Sequence, residues 1–121
     1  IEDLRIRHDR KWLSEALMNI LDNAVKYSPP GTMVTLRAFR MTSFLRIEIQ
    51  DQGIGIPKEI YHKVFQRFFR GKQPEVQNAE GAGVGLYLAR RIIEGHHGTI
   101  SLDTWRMKKE KGTVFVVQIP Y

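Results

Sequence analysis

Residues 9–31 read DRKWLSEALMNILDNAVKYSPPG, and this stretch decides the first layer of the fold. Leu13, Leu17, Ile20, Leu21 and Ala24 recur at helical spacing, so the segment from about Arg10 to Tyr27 is expected to be a helix with one apolar face. Asp9 is placed to cap its start, and Ser28-Pro29-Pro30-Gly31 stops it. Glu15, Asn19, Asn23 and Tyr27 follow each other at intervals of four and form one stripe, with Lys26 on the neighbouring edge. Asparagine is a poor residue for a helix interior, and two on one face break a local rule in the way functional positions do. Their carboxamide oxygens are hard ligands suited to Mg²⁺. On this stretch alone, two solvated asparagines explain the pattern equally well.

Working outward, Leu4-Arg5-Ile6-Arg7 alternates before the helix and reads as the remnant of a strand. After it, Val34, Leu36 and Ala38 alternate with polar positions, as do Leu45, Ile47 and Ile49, and Met41-Thr42-Ser43 joins the two strands as a hairpin. Arg46, Glu48 and Gln50 occupy every other place in the second strand, which predicts one wet sheet face. Pro57 is expected to open a short helix to about Phe65. From Gly71 to Gly83 the chain is polar and glycine-bearing without apolar periodicity, the signature of a functional or mobile loop. A helix is expected from about Val84 to Glu94 with Leu86, Leu88, Ala89, Ile92 and Ile93 inward, and Gly95 and Gly98 flank its end. Strands over Thr99–Trp105 and Thr113–Ile119, joined by a basic turn ending at Gly112, close the chain. Hairpin-connected strands with helices segregated between them predict an α+β, two-layer sandwich: a mixed, largely antiparallel sheet covered on one face by about three helices.

The 121 residues fit one domain, with 42% apolar and 26% charged residues, an ordinary globular balance. The absence of cysteine excludes disulfides, thiolate metal sites and cysteine nucleophiles. No stretch approaches the length of a bilayer span, and no signal peptide opens the chain. A net charge of +6 admits nucleic acid, acidic lipid or a nucleoside triphosphate as partner. The clusters Arg67, Arg70, Lys72 and Lys108, Lys109, Lys111 read as solvated faces, so charge alone does not choose among them.

Two further segments carry chemistry. Asp51-Gln52-Gly53-Ile54-Gly55-Ile56-Pro57 places an aspartate at a strand end, followed by two spaced glycines that let backbone approach a planar ligand. An ionised carboxylate only accepts hydrogen bonds, which matches an exocyclic amine such as that of adenine. Gly81-Ala82-Gly83-Val84-Gly85-Leu86 opens a helix, whose exposed N–H groups and dipole suit an anion. The spacing is not that of a dinucleotide fingerprint, no Walker lysine motif occurs, and the loop motifs of eukaryotic-type protein kinases are missing.

Taken in order, these segments resemble the histidine kinase catalytic domain. Asn19 to Tyr27 is similar to its N box, Asp51 to Pro57 to its G1 box, Phe65-Gln66-Arg67-Phe68-Phe69-Arg70 to its F box, Gly81 to Leu86 to its G2 box, and Gly112-Thr113 to its closing glycine motif. The resemblance covers about residues 11–120 and implies the Bergerat ATP-binding fold for residues 1–121, with ATP and Mg²⁺ as cofactors. By position it implies that Asn23 ligands Mg²⁺, that Asn19 lies beside it and that Lys26 meets a phosphate; these three are the candidate catalytic residues. Tyr27 would lie against the adenine or ribose, Asp51 would accept from the adenine amine, and Gly53, Gly55, Ile56 and Thr113 would complete that end of the pocket. Gly81, Gly83, Val84, Gly85 and Leu86 would hold phosphates at the helix start. Residues 71–82 would form a lid hinged on Phe65 and Phe68, with Arg70 or Lys72 reaching the triphosphate.

Hydrolytic members of the wider superfamily carry a glutamate four residues before the metal asparagine; here that place is Asn19, which cannot take a proton. A neutral imidazole acceptor needs no such base. The resemblance implies as partners the histidine-containing dimerisation domain of the same polypeptide and a response regulator receiver domain, with no nucleic acid and no membrane contact by this fragment. The expected location is cytoplasmic, the full-length protein being anchored in a bacterial membrane. Three rivals are a related kinase acting on serine, a basic module binding nucleic acid and a degenerate domain that binds ATP only to regulate; the paired Asn19 and Asn23 with the full F box, the Asp51 turn with the glycine-led helix, and the absence of a broken motif favour the histidine kinase over each in turn. Tyr87 and His96-His97-Gly98 depart from the family pattern, and His8, His62, His96 and His97 read as surface or structural.

Overall fold

The computed structural model of the chain describes residues 9–67 and 85–121. Helix α1 spans Arg10–Lys26, strand β1 Thr35–Arg40 and strand β2 Phe44–Gln50. Helix α2 follows at Gly85–Gly95, then strand β3 at Thr99–Leu102, helix α3 at Thr104–Met107 and strand β4 at Val114–Pro120. The four strands form one sheet in the order β1-β2-β4-β3, and every pair is antiparallel. The α+β sandwich expected from the hairpins is therefore present. Its strand remnant at Leu4 to Arg7 and the start of the second helix at Val84 lie outside the described residues.

Alternation along β2 and β4 positions everything else. Ile47 stands opposite Val117 and Ile49 opposite Phe115, and all four point toward α1 and α2. They meet Leu13, Ala16, Ile20 and Ala24 of α1 and Ala89 and Ile93 of α2 in one core. Burying each large aliphatic side chain contributes about 1.5–3 kcal/mol, an upper figure for a chain that is already partly compact when unfolded. Asp51 follows Ile49 by two residues and so shares its side of the sheet, just beyond the strand's end. Packing parity thus aims a carboxylate at the helix layer.

Helix α1 starts as its sequence indicates: Asp9 Oδ1 accepts from the Trp12 N–H at 3.2 Å. It ends at Tyr27, whose N–H donates to the Asn23 carbonyl. Helix α2 ends in a Schellman arrangement, with the Gly98 N–H donating to Ile93 O and the His97 N–H to Glu94 O, both at 2.9 Å. His97 occupies the left-handed position there, at φ 63°. Glycine is needed one residue later, because a Cβ on Gly98 would sit 2.4 Å from the Gln118 carbonyl oxygen. His96 accepts the Asp9 N–H at Nε2 (2.9 Å) and donates from Nδ1 to Ile92 O (2.8 Å), the structural role expected of it.

Four local expectations are corrected. The segment after Pro57 is not an α-helix: Lys58–Ile60 forms a 3₁₀ turn, and the chain continues through three-residue hydrogen bonds such as Lys63 N–H to Ile60 O and Gln66 N–H to Lys63 O. The strand begun at Thr99 stops at Leu102, because Asp103 caps a new helix by accepting from the Arg106 N–H at 3.2 Å. Leu88 is 44% exposed rather than inward, since α2 turns Ala89 and Ile93 to the core. The sheet face expected to be wet is covered at one end, where Arg106 of α3 lies against Glu48 and leaves it 7% exposed.

Candidate functional site

The β2 end carries the most constrained polar group of the site. Asp51 is 4% exposed, and its Oδ1 accepts from the Gly53 N–H at 2.9 Å and the Thr113 N–H at 3.1 Å. The Asp51 N–H in turn donates to the Thr113 carbonyl at 3.0 Å, so Asp51 and Thr113 hold each other by main chain and side chain. Both side-chain bonds fall on one oxygen, and Oδ2 meets no donor among the described residues. Burial pushes the Asp51 carboxyl above its ordinary value, and the two N–H groups, which favour the charged form, do not cancel that. A desolvated acceptor with one open oxygen is suited to a neutral donor such as an amine.

The turn after Asp51 is seated on the end of α1. The Ile54 N–H donates to the Tyr27 carbonyl at 3.3 Å, and a Cβ on Gly53 would fall 2.2 Å from that same oxygen. Gly53 is therefore required by close approach, and it joins the α1 stripe to the Asp51 turn. Gly55 has φ 74° and its backbone faces the Gly112 carbonyl. Gly112, at φ 105°, packs so closely on the Asp51 carbonyl that a Cβ would lie 2.1 Å away. Tyr27, Asp51, Gly53, Gly55, Gly112 and Thr113 form one assembly. A cleft of about 340 Å³ adjoins it, lined by Ile54, Gly55, Ile56, Pro57, Tyr61, Met107, Glu110, Lys111 and Gly112.

Of the α1 candidates, Lys26 directly precedes Tyr27, and Asn23 and Asn19 lie about one and two turns before it. Asn19 Nδ2 is buried and meets no acceptor among the described residues. A buried amide donor left unsatisfied costs about 1–3 kcal/mol, so the group is poised for an acceptor supplied by a ligand. Asn23 is half-buried, Lys26 is exposed, and Gly85 and Leu86 begin α2, which packs against α1. A carboxylate oxygen without a donor at Asp51 and a carboxamide donor without an acceptor at Asn19, among the described residues, are both groups that a ligand with amine and phosphate groups could satisfy. The Asn23 carboxamide oxygen suits Mg²⁺, which takes few protein oxygens and keeps the rest of its shell as water and phosphate.

Phe68, Arg70, Lys72, Gly81, Gly83 and Val84, with the lid assigned to residues 71–82, lie outside the described residues. Of the two expected hinge phenylalanines, Phe65 packs edge-on against Phe115 of the core, ring centroids 6.2 Å apart. A network on the opposite sheet face was not anticipated. Arg106 donates to Glu48 Oε1 at 2.5 Å and to Gln50 Oε1 at 2.6 Å, and Gln50 Nε2 donates to Glu110 Oε2 at 2.7 Å. Burial raises the Glu48 carboxyl, but hydrogen bonds and charge from Arg46 and Arg106 outweigh it and hold the group below its ordinary value. Contacts between residues 56 and 60 positions apart leave no local signal; only the alternation placing Glu48 and Gln50 on one side could have suggested them.

None of the helices among the described residues is long and apolar enough to cross a membrane. Residues 8–121 match the family described as histidine kinase-, DNA gyrase B-, and HSP90-like ATPase. Sensor-like histidine kinase SenX3 of Mycobacterium tuberculosis is 36% identical over 118 residues, covering 98% of this chain and 28% of its own length. Sensor histidine kinase WalK of Bacillus subtilis is 36% identical over 121 residues, covering 98% of this chain and 19% of its own. The chain thus spans under a third of either curated relative. The solved structure of the mycobacterial sensor histidine kinase MprB superposes with a TM-score of 0.84 at 33% identity, over 95% of this chain and 76% of that one. With this family match over residues 8–121, these relatives and the shared fold, the chain belongs to the histidine kinase-, DNA gyrase B- and HSP90-like ATPase family, as a catalytic ATPase domain of the sensor histidine kinase type.

Proposed function

We propose that residues 1–121 form a kinase domain that binds ATP with Mg²⁺ and transfers the γ-phosphoryl group to a histidine on a separate dimerisation domain of the same polypeptide. A response regulator receiver domain then takes the phosphoryl group. The observation that carries this reading is Asp51, buried at the end of β2 with one oxygen held by two backbone N–H groups and the other without a donor among the described residues. That oxygen accepts from the adenine amine, which favours adenine over guanine. Tyr27, Gly53, Gly55, Ile56 and Thr113 shape the base end. Asn19, Lys26, Gly85 and Leu86 serve the phosphates together with Phe68, Arg70, Lys72, Gly81, Gly83 and Val84. Asn23 would hold Mg²⁺, which when bound neutralises charge on the phosphates.

In the transfer, an imidazole nitrogen of the acceptor attacks the γ-phosphorus, the bond from that phosphorus to the bridging oxygen breaks, and ADP departs with the electron pair. The imidazole proton passes to water. The task of this domain is positioning and charge stabilisation. Asn19 supplies no base for water, which fits a domain that transfers to an imidazole instead of hydrolysing. The domain works in the cytoplasm, on a parent protein anchored in the bacterial membrane.

The test mixes this chain with the dimerisation domain of its own polypeptide and γ-labelled ATP. The account expects phosphate on the acceptor that is lost in acid and kept in base, as a phosphohistidine behaves. Base-labile phosphate on serine, or no transfer by a chain that binds ATP, would contradict it.

A further inference from the structure

The adenine end of the proposed pocket depends on a contact between segments far apart in sequence. Thr113 must keep its N–H on Asp51 Oδ1, yet Thr113 closes the connection between β3 and β4, eleven residues that leave the sheet after Leu102. Three hydrogen bonds fasten that connection at its start: Asp103 N–H to Val114 O at 2.9 Å, Arg106 to Glu48 and Arg106 to Gln50. On its far side the Asp51 N–H holds the Thr113 carbonyl at 3.0 Å, and Gln50 Nε2 holds Glu110, three residues before Thr113. Gln50 stands at both places and immediately precedes Asp51. Its Oε1 accepts from Arg106 and, at 3.0 Å, from Arg37 of β1, while its Nε2 holds Glu110.

The consequence is mechanical. Between Glu110 and Thr113 lies Gly112, packed on the Asp51 carbonyl and facing Gly55. Main-chain pairing fixes Thr113 from the β4 side through its carbonyl, so the Glu110 contact bears on the approach through Gly112 to the Thr113 N–H. We infer that Gln50, acting through Glu110 from the face of the sheet opposite the pocket, is a positioning residue for adenine recognition. The inference deepens the proposed function and rests on it for the identity of the base. The same residues, Glu110 to Gly112, wall the 340 Å³ cleft beside Gly55, so the fastening also sets the shape of that cleft.

Gln50→Glu isolates the Glu110 arm. A carboxylate keeps both acceptor bonds from Arg37 and Arg106 and strengthens them by charge, but it faces the Glu110 carboxylate with no donor. Exchanging the pair, Gln50→Glu together with Glu110→Gln, restores a donor opposite an acceptor at every link. The measurements are ATP and GTP affinity by calorimetry, hydrogen exchange at the Thr113 amide, and the denaturation midpoint as control. For Gln50→Glu the expectation is ATP binding weakened about three- to tenfold, a smaller ATP-over-GTP preference and faster Thr113 exchange, at an unchanged or higher midpoint. The exchanged pair is expected to recover the native values. Native affinity and native Thr113 exchange in Gln50→Glu, or a loss that the exchanged pair does not recover, would overturn the inference. If the native chain shows no adenine preference, the proposed function fails, while Thr113 exchange across the three chains still decides whether Gln50 positions it.

Discussion

Replacing Asp51 with asparagine separates the adenine contact from the stability of the fold, because the two effects have opposite signs. The carboxamide oxygen can keep both bonds that Oδ1 accepts, from Gly53 at 2.9 Å and Thr113 at 3.1 Å, so the turn retains its internal geometry. What changes is Oδ2, which becomes an NH₂ donor where the proposed adenine amine needs an acceptor. Losing that hydrogen bond and opposing two donors costs about 1–3 kcal/mol, a fall in ATP affinity of roughly 5- to 150-fold. GTP offers a carbonyl at the same ring position, so its affinity should fall less or rise.

Stability moves the other way. The Asp51 carboxyl is raised above its ordinary 3.8 by burial, so the folded state holds its proton more tightly than the unfolded chain does. Its contribution is fully present below the unfolded value and is lost as pH rises through the folded value. The native fold therefore loses stability as pH rises through that value, and Asp51→Asn, which has no such proton to lose, should equal or exceed it in stability at neutral pH. Urea denaturation at acidic and neutral pH, paired with calorimetric titration of ATP and GTP, reads both effects. The reasoning is refuted if the variant keeps native ATP affinity, or if it is destabilised by more than about 2 kcal/mol at neutral pH, the range expected for a broken structural hydrogen-bond network.

Glu48 has the reverse linkage: its carboxyl lies below its ordinary 4.5, so its stabilisation is present above that value and is lost as pH falls through the folded value. Glu48→Gln should thus be less stable than native at neutral pH and converge with it in acid; a constant difference in denaturation midpoints would contradict this. Gly98→Ala should destabilise by about 1–3 kcal/mol, since its Cβ meets the Gln118 carbonyl; a native melting temperature would show that the sheet yields there. His97→Gly relieves a left-handed histidine and should stabilise by about 0.5 kcal/mol, with a lowered melting temperature as the contrary result. Asn19→Glu supplies a base beside the phosphates and should raise steady-state ATP hydrolysis about tenfold or more; equal turnover would remove the proposed role of Asn19.

Most of the architecture was legible because it is written at short range. The spacing of Leu13, Ile20 and Ala24, the Asp9 cap and the alternation of Ile47 and Ile49 each report a local period that packing then uses. Asp51 was legible for the same reason, being a carboxylate at a strand end before two spaced glycines. Helix α3 was not, because Thr104 and Trp105 favour a strand and only the Asp103 cap signals a turn of helix. Pro57 gives the same cue for a 3₁₀ turn as for an α-helix. The orientation of Leu88 depends on how α2 rolls against its neighbours, and the Arg106–Gln50–Glu110 network exists only once β2 and the β3–β4 connection are side by side.

The measurement closest to the central claim is calorimetric titration of the native chain with ATP and GTP in the presence of Mg²⁺. The account predicts saturable binding of one ATP per chain and at least about tenfold weaker GTP, the difference of one well-placed hydrogen bond to a buried group. Equal affinity for the two nucleotides, or no binding of either, would mean that Asp51 is not an adenine acceptor and that the pocket reading is wrong.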